Sequence, residues 1–189
     1  MIKTFTGPMH SGKTAAMIAT YNNIWNKEHI MCFKPKKDTR DYGIMKSKDY
    51  GEGIPGICID TFEEILDYIN DDISTIFIDE AELLEGNVSV LSYLSIMKEM
   101  DIYLAGLNTT SELEPFATMP YILAISDEVV VVKASCFDCG RSASHTYFIG
   151  EKTNQVLVGD EGYIPLCDRC FKKREEKGKK LVFKPYIKK

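Results

Sequence analysis

No apolar run in this 189-residue sequence is long enough to span a bilayer, which argues against a transmembrane protein. Met1, Ile2, Lys3 and Thr4 lead directly into a strand-like segment, without the charged and apolar regions of a secretory leader, so a cytosolic protein is expected. There is no internal repeat, which argues against a solenoid. Glycine (13) and proline (7) are few for the length, and no segment reads as low complexity. A surplus of positive charge is also missing. The net charge of -5 disfavours a chain that coats nucleic acid, since neutralising phosphates needs a basic face. Basic residues are concentrated at the end, where residues 172–189 hold nine against two acidic ones, the pattern of a solvated and partly disordered tail. Histidine is scarce, and neither His10 nor His145 has ligand spacing.

What is present suits a packed globular core: 44% of residues are apolar and 27% charged. The length allows one ordinary domain, or one plus a small satellite. Six cysteines in a reducing compartment imply metal binding or burial before disulfides.

Hydrophobic patterning predicts strands over 2–6, 29–35, 57–60, 75–79, 102–107 and 128–134. Helices are predicted over 14–27, over 87–100 with Val90, Leu94 and Met97 inward, and after Thr61. There Thr61 and Glu64 form a capping box ahead of Phe62, Ile65, Leu66 and Ile69 at helical spacing. From 36 to 56 no period is visible, and a long functional loop is expected. Helices alternating with apolar strands imply an α/β fold, a mostly parallel sheet covered on both faces as in P-loop nucleotide-binding proteins. A boundary near Lys133 separates a domain of residues 1–133 from a cysteine-bearing one of 134–171, followed by the basic tail 172–189. Two short strands, over 146–149 and 155–158, are expected in the second.

Gly7, Pro8, Met9, His10, Ser11, Gly12, Lys13 and Thr14 satisfy GxxxxGK[ST], between a predicted strand and a predicted helix. Glycines let backbone N–H groups curl round a phosphate, a helix N-terminus adds its positive end, and Thr14 offers a hydroxyl to Mg²⁺. Lys13 supplies a mobile cation, expected to be solvated and to pack against little. Such a site needs a carboxylate at the end of a neighbouring buried strand to hold Mg²⁺, and Asp79 after TIFI has that position. Glu80 and Glu82 follow. Either can serve as a general base for an attacking hydroxyl, or both can simply open the next helix near its positive end.

Cys136 with Cys139 and Cys167 with Cys170 form two CxxC pairs, 27 residues apart. Each chelates from a tight turn, and together they make a tetrahedral S₄ shell for structural Zn²⁺. Cys32 and Cys58 sit in apolar strands and read as core residues.

With the phosphate loop, TIFIDEAE and the paired CxxC in this order, the sequence resembles the type II thymidine kinases, the family of the cytosolic vertebrate enzyme and its bacterial and viral relatives. FKPKKDTR at 33–40, GLN at 106–108, Pro115 with Phe116, SDEVVVVKASCFDCG from Ser126 and GDEGY ending at Tyr163 add to the likeness. The resemblance implies ATP-dependent phosphorylation of a deoxynucleoside, thymidine or deoxyuridine, in nucleotide salvage. It implies ATP contacts along 7–14 and at Asp79, Glu80, Ala81 and Glu82, with Glu80 as the base and Arg40 stabilising charge near the phosphates. The cysteine-held segment would be a lasso over the nucleoside, whose neighbours would be Leu83, Phe116, Thr146, Val156 and Tyr163. The family is commonly tetrameric. Departures fall on the acceptor side: the family's DEAQFF or DEGQFF is Asp79, Glu80, Ala81, Glu82, Leu83, Leu84 here, an expected aromatic is Ser111, and an expected glycine pair is Val158 and Gly159. Two other readings are a kinase on the same scaffold with another acceptor and a nucleotide-binding scaffold without turnover. Retention of Lys13, Thr14, Asp79 and Glu80 speaks against the latter.

Overall fold

The computed structural model describes residues 1–41, 43–47, 50–150 and 161–178, the side chains of 50–52 and 177–178 excepted. The expected strand over 155–158, with Val156, Val158 and Gly159, lies outside the described residues, as does the tail beyond 178.

Six strands form one sheet in the order β5-β2-β6-β7-β1-β8. They are β1 (Ile2–Thr6), β2 (Ile30–Pro35), β5 (Ile57–Ile59), β6 (Thr75–Ile78), β7 (Asp101–Gly106) and β8 (Glu128–Val131). Every pairing among them is parallel, with Ile76 opposite Met31 on one side and Ile102 on the other. The pleat sends alternate residues to opposite faces. Ile76 and Ile78 join Ile2, Phe33, Ile102 and Leu104 in one core, which is closed by Leu91 and Leu94 of α2 (Ser89–Met97) and by Met119 and Ile122 of α3 (Met119–Ile125). Phe77 joins Phe5, Cys32 and Ala105 in a second core, closed by Met17 and Ile18 of α1 (Lys13–Asn23). Burial on both faces is why TIFI carries no polar position after Thr75.

Three expectations are corrected. Residues 44–47 and 50–55 are strands rather than loop: β3 (Ile44–Ser47) and β4 (Tyr50–Pro55) pair antiparallel, and Met45 and Ile54 cap the second core beside α1. Two inward residues are too few to show a period. The helix expected after Thr61 is a 3₁₀ turn, Glu63–Asp67. Half of the capping box forms, with Glu64 Oε1 accepting from the amides of Asp60 (2.9 Å) and Thr61 (3.1 Å). However, Phe62 and Glu85 donate backbone bonds to Glu85 and Asp60 (3.1 and 3.0 Å), which pins the entry to a neighbouring strand-like segment, and Leu66 stays exposed. Finally, α2 is shorter than expected; Leu94 and Val90 pack on the core as expected, but Met97 does not. Val88, Leu91 and Leu94 face inward while Met97 is 68% exposed. Glu99 adopts φ 54, and Met100 returns its amide to Leu94 O (3.2 Å), ending the helix and burying Met100 instead.

The cysteine-bearing segment builds its own small core. β9 (Ala134–Ser135) pairs with β10 (Ser142–Ala143), β11 (His145–Phe148) pairs with β12 (Tyr163–Leu166), and α4 (Asp168–Gly178) follows. Ala134, Ala143, Ile164, Leu166 and Phe171 pack together there. Arg174 forks onto Asp138 (2.9 and 2.6 Å), fastening α4 to the first cysteine turn. No helix among the described residues is long and apolar enough to cross a membrane.

Candidate active site

All six strands run the same way, so the turns that follow them gather at one edge of the sheet, where ligands of open α/β sheets bind. β1 delivers residues 7–14, β2 delivers Asp38 and Arg40, β6 delivers Asp79 to Glu82, and β7 delivers Leu107. Several of these residues line one cavity of about 310 Å³, among them Lys13, Thr14, Arg40, Asp79 and Glu80.

The loop geometry follows from its glycines. A Cβ on Gly7 would stand 2.0 Å from the carbonyl oxygen of Val132, so only hydrogen fits as β1 leaves the sheet beside β8. Gly12, at φ 83, is the N-cap of α1, and the helix begins at Lys13. Lys13 departs from the solvated cation expected of it. Its side chain is 9% exposed, and Nζ donates to Pro8 O at 2.9 Å. Burial lowers its pKa, opposed by the charges of Glu80, Glu82 and Asp79.

Thr14 Oγ1 donates to Asp79 Oδ1 at 3.0 Å. Two cis oxygens of an octahedral Mg²⁺ shell with Mg–O of about 2.1 Å also lie about 3.0 Å apart, so this pair fits two positions of such a shell. Burial, then the charge of Glu80, pushes the Asp79 carboxyl up to about 7, against the Thr14 bond. After Asp79 the chain kinks: Glu80 holds φ 50, a left-handed conformation that costs a non-glycine residue about 1–2 kcal/mol. The 3₁₀ turn Ala81–Leu83 follows, and Thr118 Oγ1 donates to Ala81 O at 3.3 Å. The kink separates the two candidate bases. Glu80 lines the cavity, whereas Glu82 is 2% exposed and is not among the lining residues.

Arg40 reaches Glu80 Oε1 with Nη2 at 2.6 Å. Its guanidinium is held from behind by Asp38, through Nε to Oδ1 (2.8 Å) and Nη2 to Oδ2 (3.1 Å). Asp38, 1% exposed, also takes Lys34 Nζ at 3.0 Å. Burial alone would raise the Asp38 pKa, but hydrogen bonds from Arg40 and Lys34 hold it below the usual carboxylate value. Burial likewise opposes the charge on Arg40, and the Asp38 bonds and Glu80 overcome it. Lys34 and Asp38 lie within FKPKKDTR, where nothing in the sequence assigns them a role. A buried acid is signalled only by its tertiary partners. Lys46 and Ser47 of β3 also line the cavity, and the expectation of a functional loop over 36–56 names neither of them.

Of the residues expected around a nucleoside, Leu83, Phe116, Thr146 and Tyr163 do not line this cavity, and Val156 lies outside the described residues. Leu83 and Phe116 are half-buried, on the 3₁₀ turn and just before α3. Thr146 of β11 is buried, and its Oγ1 accepts the Met9 amide at 3.0 Å. Tyr163 opens β12 against the Phe148 ring, centroids 4.8 Å apart, with its carbonyl oxygen 3.3 Å from His10 Nε2. Both strands of this hairpin thus touch the phosphate loop.

The sulfur atoms of Cys136, Cys139, Cys167 and Cys170 lie within 4.8 Å of one another, and those of Cys139 and Cys167 are 3.7 Å apart. A tetrahedral zinc shell with Zn–S of about 2.3 Å sets sulfurs about 3.8 Å apart, so the four fit Zn²⁺. Gly140, at φ 70, turns the first pair and returns its amide to Cys136 O at 2.8 Å.

The sequence model of the thymidine kinase family matches residues 1–171. Among similar proteins are the thymidine kinases of Mycoplasma mobile, 32% identical over 93% of this chain and 89% of that one, and of Onion yellows phytoplasma, 34% identical over 86% and 81%. The thymidine kinase of Pseudothermotoga lettingae is 29% identical over 88% of this chain and 92% of that one.

Proposed function

Since the chain belongs to the thymidine kinase family, whose enzymes phosphorylate thymidine, we propose that it takes the phosphate from ATP, delivers it to the 5'-hydroxyl of thymidine or deoxyuridine, and serves nucleotide salvage in the cytoplasm. The observation that carries this reading is the convergence of Lys13, the Thr14–Asp79 pair and the Arg40–Glu80 pair on one cavity.

In this mechanism the amides of residues 7–14 and the N-terminus of α1 hold the triphosphate. Lys13 exchanges Pro8 O for phosphate oxygens. Held by Thr14 and Asp79, Mg²⁺ would supply charge neutralisation across the transferred phosphate. Glu80 accepts the proton of the attacking 5'-hydroxyl, and its bond to Arg40 opens as the guanidinium turns to the developing phosphate charge. Asp38 keeps Arg40 at that edge. Residues 134–171 act as a lid: Cys136, Cys139, Cys167 and Cys170 would hold Zn²⁺, which would tie the two cysteine turns together, and β11 reaches the phosphate loop through Thr146. Leu83, Phe116, Thr146, Val156 and Tyr163 are the proposed nucleoside neighbours, and the working enzyme is a homo-oligomer, a tetramer as in the family.

Leu83 and Ser111 offer no aromatic face, and each lost base stack is worth about 1–3 kcal/mol. A raised KM for thymidine follows. Discrimination against purines survives if the lid reads the pyrimidine edge through its backbone. The test is kcat/KM for the four natural deoxynucleosides and deoxyuridine at saturating ATP and Mg²⁺. Turnover of thymidine or deoxyuridine with little on deoxyadenosine and deoxyguanosine is expected. Preference for a purine would assign the altered pocket to another acceptor, and no turnover on any would refute the kinase reading.

A further inference from the structure

Glu82 has no role in the chemistry above, and its surroundings are unusual. Its side chain is 2% exposed, and neither carboxylate oxygen has a hydrogen-bond partner among the described residues. The carboxyl group lies against the backbone of Gly106, where a Cβ would stand 2.7 Å from Oε2 and 2.8 Å from Met119 Sδ. A carboxylate without bonds in such a place is strongly disfavoured, whereas the uncharged acid has the shape and polarity of the glutamine that stands here in the family's DEAQ string.

We propose that Glu82 is carried as an uncharged carboxylic acid in the folded protein, and that its ionisation pulls Lys13 away from the phosphate loop, making Glu82 a positioning residue for Lys13. The charged groups around it support this. Glu80, on the same turn, repels a second negative charge. Lys34 of β2 is committed to Asp38 and Arg40 to Asp38 and Glu80, so neither compensates Glu82. β7 contributes Gly106 and α3 contributes Met119, both uncharged. The amides of Glu82 and Leu107 favour the anion without meeting hydrogen-bond geometry. That leaves Lys13, whose ammonium is bound to Pro8 O while Glu82 is neutral and becomes the natural partner of Glu82 once it ionises. Burial is the largest cause holding the acid's pKa above the ordinary value, and the charge of Glu80 is the next.

The coupling to Lys13 rests on the ATP reading, while the protonation does not, and two measurements separate them. The first is urea unfolding of the wild type and of Glu82→Gln without nucleotide, from pH 5.5 to 8.5. A buried acid with a raised folded-state pKa contributes stability below its unfolded value of about 4.3 and loses it as pH rises through the folded one. The wild-type folding constant should therefore fall relative to the variant by up to about tenfold per pH unit, then level off. A ratio independent of pH, or one that moves in favour of the wild type as pH rises, would overturn the protonation. Glu82→Met fills a similar volume without a titrating group and replaces Glu82→Gln if the latter fails to fold. The second measurement is binding of a non-hydrolysable ATP analogue over the same range. The wild type should keep its affinity relative to the variant while the folding ratio falls and lose it beyond the pH at which that ratio levels off, where Glu82 ionises in the folded protein; a constant affinity ratio across that point, with the pH range carried upward until it is reached, would overturn the coupling to Lys13. Absence of analogue binding to both proteins at every pH would refute the ATP reading and with it the coupling, and the unfolding arm would still decide the protonation.

Discussion

Replacing Asp38 by Asn removes one negative charge from the middle of a network in which Lys34 is too deeply buried to leave. Lys34 is 3% exposed and Asp38 1%. Breaking such a buried pair by taking one partner costs about 3–5 kcal/mol, because the remaining charge stays desolvated. Lys34 keeps two acceptors, the carbonyl oxygens of Ile44 (3.0 Å) and Asp41 (3.3 Å), which places the loss at the lower end, about 3 kcal/mol. At about 2–4 °C per kcal/mol for a chain of this length, Tm should drop by about 6–12 °C. The amide left at this position can accept at most one bond of Arg40's fork, so the guanidinium is held less firmly at the cavity edge and kcat falls as well. Urea denaturation of wild type, Asp38→Asn, Lys34→Met and the double variant forms a cycle, and the double variant should recover part of the loss because no uncompensated charge remains. The pH dependence has a definite sign. A carboxyl whose folded pKa is depressed contributes stability that is present above its unfolded value of about 3.9 and lost as pH falls through the folded one, so the variant should lack this part of the acid transition. A loss below about 1 kcal/mol in Asp38→Asn, or a double variant no more stable than the single, would refute the argument.

Glu80→Gln should lower kcat by roughly 10²- to 10⁴-fold with ATP affinity nearly unchanged, as single-turnover kinetics and equilibrium binding would show. Because the Asp79 carboxyl is pushed up to about 7, Mg²⁺ must displace a proton there. Its apparent affinity, measured by activity against Mg²⁺ concentration, should climb by up to about tenfold per pH unit below 7 and flatten above. One zinc per chain is expected by metal analysis, and Cys170→Ser or a strong chelator should lower the unfolding temperature and release the β11–β12 hairpin. Full retention of Thr146 and Tyr163 amide protection after zinc removal would contradict that role for the metal.

The features legible in the sequence are those whose cause is local. Residues 7–14 announce themselves because a glycine that must approach Val132, a glycine cap and a helix-opening lysine all fall within eight positions. TIFI reads as a doubly buried strand because no alternation interrupts it, and the CxxC pairs read as a metal site because chelation fixes their spacing. Where sequence reasoning failed, a distant partner decided. A capping box at Thr61 and Glu64 became a 3₁₀ turn because Glu85 claims the backbone just before it, and α2 turned Leu91 rather than Met97 inward because the sheet beneath it, not the helix's own period, chose the face.

The candidate site divides along the same line. From the sequence alone came the family resemblance, the phosphate loop, the carboxylate at the end of β6 and the four-sulfur shell, each a short pattern imposed by backbone geometry or metal chemistry. The resemblance named Glu80 as the base, but the tertiary structure supplied the physical difference from Glu82, two positions on, by kinking the chain so that one meets Arg40 in the cavity and the other is sealed over Gly106. It alone showed Asp38 as the anchor of Arg40 and Lys13 as a buried cation, because burial and pairing are properties of the assembled carboxyl edge of the sheet, where four separate turns meet, and no single stretch of chain contains them.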